Sequence, residues 1–141
     1  MNLEQKIQNS LRGNGIFLTF DGVEWRDKGQ ALRADPRIVY EDLKLSEISR
    51  KDAIQLLISA LSNDLCYGAK RLGKGMAEQI AKEFIGAYHE QARFYTNSDV
   101  PYNNKSHAWS FSPITEATID TGVIVREGKN LASLLWVMGI D

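Results

Sequence analysis

Cysteine is nearly missing from this chain: Cys66 is the only one among 141 residues, so no internal disulfide can form. The fold therefore does not depend on an oxidising compartment. Cys66 closes an apolar helical run, which favours a buried thiol over a reactive one. Histidine is almost as scarce, with His89 and His107 alone. Long apolar runs are missing too. No segment approaches the ~20 apolar residues that cross a bilayer, and the longest, at 131–138, contains Ser133. Residues 1–12 hold no unbroken apolar stretch, so no secretory leader is expected, and a cytoplasmic location follows. Neither sign of charge dominates: the net charge is −1 and the isoelectric point is near 6.1. A general polyanion binder normally shows a basic domain, so nucleic acid is not the expected partner.

What is present suits a globular chain. The sequence is 43% hydrophobic and 25% charged, and its length fits a single domain, 1–141, with a core of its own. Leu3, Ile7 and Leu11 have helical spacing behind a candidate cap at Asn2, and Gly13 and Gly15 end that pattern. Residues 16–20 and 23–26 read as two strands joined at Asp21-Gly22, a hairpin signal because the turn residues need positive φ. A short strand is expected at 37–40. Ser49 and Asp52 resemble a capping box ahead of the stripe Ala53, Ile54, Leu57, Leu61 and Leu65, which predicts a helix over 49–65. Met76, Ile80, Phe84 and Tyr88 recur every four residues and predict a second helix over 74–93.

The polar run 96–106 reads as a surface loop, and Trp109-Ser-Phe-Ser as a short strand. Two β-rich runs, 118–126 and 131–138, flank Glu127-Gly128-Lys129-Asn130 and predict an antiparallel hairpin. Together these give an α+β single domain: a largely antiparallel sheet of N- and C-terminal hairpins packed against two central helices.

Catalytic signatures are incomplete. His89-Glu90 opens like a zinc-protease helix, but Arg93 stands where the second histidine is required. His107, Ser110, Ser112 and Asp120 supply the residue types of a hydrolase triad without the Gly-x-Ser-x-Gly elbow that exposes a nucleophile. Lys70, Arg71 and Lys74 precede a helix start, where free N–H groups attract phosphate, yet the spacing is not that of a P-loop. These cations supply a nucleic-acid accessory reading beside the hydrolase-like one. No cofactor or metal motif is recognised, so none is expected.

The run from His107 through Trp109-Ser-Phe-Ser-Pro-Ile-Thr-Glu-Ala-Thr-Ile-Asp-Thr-Gly-Val-Ile-Val, followed by Leu134-Leu135-Trp136, resembles immunity proteins of bacterial polymorphic-toxin systems, including contact-dependent growth inhibition. The resemblance covers about the last quarter of the chain. It implies a cytosolic, non-enzymatic inhibitor that binds one toxin domain, often a nuclease. Such interfaces rest on a few aromatic or charged anchors. From their position in predicted loops or edges, the candidate anchors are Trp25, Tyr40, Glu41, Asp42, Glu47, Tyr95, Asp99 and Tyr102.

Overall fold

A computed structural model describes residues 15–25, 31–33, 37–40, 43–63, 65, 71–103, 110–128 and 131–139. Six strands form one sheet: β1 (Ile16–Trp25), β2 (Ala31–Arg33), β3 (Ser46–Ile48), β4 (Arg93–Thr96), β5 (Asp120–Arg126) and β6 (Leu131–Met138). Two helices, α1 (Arg50–Ser62) and α2 (Lys74–Gly86), lie between β3 and β4 in sequence. Every strand pair is antiparallel, in the order β2-β1-β6-β5-β4-β3. The fold is α+β.

Strand alternation divides the sheet into two faces. Leu18, Phe94, Val123, Val125, Leu135 and Val137 point toward the helices, where they meet Leu56, Leu57, Leu61, Ile80, Phe84 and Ile85. Phe17, Val23, Trp25, Tyr95, Ile124, Leu134 and Trp136 point the other way and pack with Ile38, Leu43 and Ile114. Those last three lie in segments without regular structure, joined by a hydrogen bond from the Val39 N–H to the Ile114 carbonyl. The expected strand at 37–40 is thus replaced by a covering segment, and so is the strand expected at Trp109-Ser-Phe-Ser within its described part, 110–112. The sheet is a buried middle layer. That explains why β6 reads as an almost continuous apolar run.

The C-terminal hairpin matches expectation: β5 and β6 pair along seven registered positions, from Asp120↔Met138 to Arg126↔Ala132. Gly122 is there because of close approach. A Cβ at that position would sit 2.3 Å from the Leu135 carbonyl oxygen and 2.6 Å from the Trp136 ring.

The N-terminal part of the sheet differs from the expected hairpin. Asp21-Gly22 does not turn the chain between two strands; 16–25 is one strand, and both halves pair with β6. Thr19 faces Leu134 and Val23 faces Ala132, so three residues of β1 stand against the single Ser133 of β6. Such a bulge adds two residues, an even number, so the inward and outward sets keep their faces. The N-terminal hairpin is formed by β1 and β2 instead.

Helix α1 starts as the cap predicts: the Ser49 hydroxyl accepts from the Asp52 N–H at 3.0 Å. It ends at Ser62, and Leu65 packs onto the core beyond it. Helix α2 stops at Gly86, well before Arg93, which already begins β4. The buried stripe of α2 is Ala77, Ile80, Ala81, Phe84 and Ile85, while Met76, expected in the core, is 38% exposed. Tyr88 continues the contact row past the helix end with an edge-on ring contact to Phe84. The helix end is sealed from another element: the Arg50 guanidinium donates to the carbonyls of Ile85 and His89, at 3.0 and 2.6 Å. The candidate first helix around Leu3, Ile7 and Leu11, and Cys66, lie outside the described residues.

Candidate functional site

Where β4 ends and β5 begins, the sheet holds a buried polar network instead of an apolar contact. Thr96, Asn97, Ser98, Thr115, Asp120 and Thr121 are all buried. The polar composition of 96–106 led to the expectation of a surface loop. Burial of 96–98 is possible because Thr96 and Asn97 find partners far along the sequence, while the Ser98 hydroxyl donates locally to the Val100 carbonyl. The Asn97 amide nitrogen lies 2.9 Å from the Asp120 carbonyl, 3.0 Å from its carboxylate and 3.0 Å from the Ser112 carbonyl. Its side-chain oxygen accepts from the Thr121 hydroxyl at 3.0 Å. Thr96 donates to the Gly122 carbonyl at 2.8 Å.

Asp120 sits at the centre, 0% exposed. Its Oδ2 accepts from the Thr115 hydroxyl (2.6 Å), the Thr115 N–H (2.9 Å) and the Ile114 N–H (3.1 Å). Burial raises its pKa above the ordinary aspartate value, against the opposing pull of the Thr115 and Ile114 hydrogen bonds and the nearby Trp136 indole. The Trp136 N–H favours the charged carboxylate from close by without reaching hydrogen-bond geometry. The carboxylate thereby pins 112–115 onto the sheet.

A cleft of about 320 Å³ opens beside this network, lined by Lys44, Leu45, Ser46, Asn97, Ser98, Asp99, Ser110, Phe111 and Ser112. Its floor is fixed. The Ser112 N–H donates to the Asn97 carbonyl at 2.8 Å, and the Ser98 hydroxyl donates to Val100 at 2.6 Å. At its edge the Ser46 hydroxyl donates to the Asp99 carboxylate at 2.9 Å.

The anchor candidates fall in different places. Trp25 and Tyr95 are 6% and 9% exposed and pack in a tilted ring contact, centroids 4.6 Å apart. They belong to the core of the outer face, not to an exposed edge, because alternation turns both beneath the covering layer. Glu47 stands beside them on the edge strand, registered with Tyr95, with its carboxylate 3.7 Å from Arg93. Arg93 faces Arg126 directly across β4 and β5. That like-charge pairing is relieved because Arg93 leans toward Glu47 and Arg126 lies over the Trp25 ring. Tyr40 is 47% exposed, Asp99 is exposed at the cleft, and Tyr102 is half-buried on the helix side. Glu41 and Asp42 lie outside the described residues. The structure thus joins Trp25, Tyr95 and Glu47 in one neighbourhood and places Asp99 near it through Ser46.

The catalytic candidates do not converge in this way. Asp120 turns its carboxylate into the Thr115 and Ile114 donors, while Ser110 is exposed and Ser112 half-buried along the cleft. His107 and Lys70 lie outside the described residues. Arg71 leaves the cationic patch: it donates to the Met138 carbonyl at 2.8 Å and packs against Gly15, whereas Lys74 remains exposed at the start of α2. His89 sits on the surface, its backbone N–H held by Glu127 at 2.8 Å and its Nδ1 accepting from the Gln91 N–H at 3.1 Å. Among the described residues no group of three or more His, Cys, Asp or Glu side chains is arranged to hold a metal ion, and no helix is long and apolar enough to cross a membrane.

The chain matches no family model, no curated protein and no solved structure.

Proposed function

We propose that this protein acts by binding, as a cytoplasmic immunity-type inhibitor that neutralises a cognate toxin domain by direct contact. The observation that carries the reading is the state of Asp120. It is the acid that the sequence offered beside His107 and the two serines, and its carboxylate is buried and committed to holding the backbone at Ile114 and Thr115. An orienting acid in a triad needs a free oxygen aimed at a histidine. Here the donor set makes it a structural staple.

Exposed chemistry gathers instead along the β3 edge and the rim of the covering segments, at Tyr40, Glu47, Arg93 and Asp99. A surface of this kind, mixing an aromatic with both signs of charge, suits a protein partner, where charge arrangement sets encounter and register. The resemblance of 107–136 to immunity proteins points the same way. The test is to co-express the chain with the C-terminal domain encoded immediately upstream of its gene. A stable complex that abolishes that domain's toxicity is the expected result. If the two purified proteins do not associate, the proposal is lost.

A further inference from the structure

We infer that the cleft between 44–46, 97–99 and 110–112 is a binding site for a small zwitterion of the α-amino-acid type. Its volume, about 320 Å³, falls at the small end of ligand pockets. It carries two opposite charges, Lys44 and Asp99, both exposed and neither in an ion pair among the described residues. The Ser46 hydroxyl holds Asp99 through Oδ1, which leaves Oδ2 to receive an ammonium group. Lys44 precedes Ser46 by two residues, about 7 Å of extended chain, and Ser46 bonds Asp99 of the neighbouring segment, so the two charges border the same cleft.

The lining also offers the side-chain hydroxyls of Ser110 and Ser112, which make no hydrogen bond to described residues. Leu45 and Phe111 add apolar surface. A carboxylate alone would meet Lys44 but face Asp99, and an amine alone would meet Asp99 but face Lys44. A compact molecule with both groups satisfies the two charges at once. The floor is preorganised, because Asn97 bonds both Ser112 and Asp120 and so fixes 97–99 against 110–112.

The inference does not rest on the toxin-binding reading. The two are measured separately, and either can fail alone. The experiment is an amide-resolved NMR titration of the intact chain with each standard L-amino acid, and with acetate and methylammonium as single-charge halves. At least one amino acid is expected to give saturable shifts centred on Ser46, Asn97, Asp99 and Ser112, with both halves binding about tenfold or more weakly. Lys44→Gln and Asp99→Asn should each weaken binding by about tenfold, the size of one charged hydrogen bond, with an unchanged thermal melt because both side chains are exposed. No saturable shift up to about 10 mM, a range that covers even millimolar affinity, would overturn the inference. So would binding that ignores both substitutions.

Discussion

Replacing Asp120 by Asn tests the central claim about the polar network, because it keeps the shape and removes only the charge and half the acceptor capacity. Oδ2 takes three donors, from the Thr115 hydroxyl, the Thr115 N–H and the Ile114 N–H, while Oδ1 takes the Asn97 amide. An asparagine oxygen can serve the first group. Its –NH2 then points at the Asn97 –NH2, donor against donor, and that Asn97 cannot simply rotate because its own oxygen accepts from Thr121. One buried charged hydrogen bond is lost and one donor is left unmatched, which sums to about 3 kcal/mol.

The pH dependence gives the sharper check. Burial raises the Asp120 pKa in the folded chain, so the folded state holds this proton more tightly than the unfolded state does. Its contribution is then fully present below the ordinary aspartate pKa of 3.8 and declines as pH rises through the raised folded value. Asparagine does not titrate. The stability gap between wild type and Asp120→Asn, measured by urea denaturation at a series of pH values, should therefore be widest in acid, narrow as pH rises, and then level off. A gap that grows with pH would mean that the four donors outweigh desolvation, and the account of the site would be wrong in its main balance.

Gly122→Ala places a methyl group 2.3 Å from a backbone oxygen of β6, which cannot move without breaking the β5–β6 ladder. A loss of about 3 kcal/mol or more is expected by chemical denaturation. Arg50→Ala removes the guanidinium that closes the carbonyl end of α2 and lies over Phe94, and should cost about 2 kcal/mol; faster hydrogen exchange confined to the end of α2 would accompany it. Deleting Asp21 and Gly22 together should leave the fold intact, since the bulge holds two extra residues and both halves of β1 keep their faces. Deleting Gly22 alone should cause collapse of the near-native circular dichroism spectrum, as one half of β1 must then turn inside out.

The sequence speaks most clearly where a local pattern and a tertiary contact agree. Helix α1 was legible because Ser49 caps it locally and its stripe, Ala53, Leu57 and Leu61, also faces the core. The β5–β6 hairpin was legible because a β-branched run and a mainly apolar run flank a glycine that takes positive φ at Gly128. Elsewhere the same local signal serves two structures. Asp21-Gly22 suits a turn and a bulge equally, and only the partner strand decides between them. The row ending at Tyr88 continues beyond α2 because the aromatic contact persists while the helix does not.

The candidate site was hardest to read, since Thr96, Asn97 and Ser98 look like solvated loop residues. What satisfies Thr96 and Asn97 there is a set of bonds to residues 15 to 26 positions away. No window of sequence contains both ends of such a bond.

Burial of both sheet faces also constrains how the molecule can meet anything else. The helix layer closes one face, and the segments around Ile38, Leu43 and Ile114 close the other, so among the described residues neither offers an open apolar surface on which a helix or a second sheet could dock. Contact chemistry is driven to the rim, where β3 ends the sheet in three residues guarded by Glu47. Short, charged edges resist casual strand pairing. Recognition there must use side chains, and the side chains at that rim are held by the same network that closes the outer face: Asn97 sets Ser112, and Ser46 sets Asp99. Asp120 therefore links the integrity of the covering layer to the shape of the cleft. If the rim binds the proposed partner, loosening Asp120 should blunt that binding before the helices lose any packing.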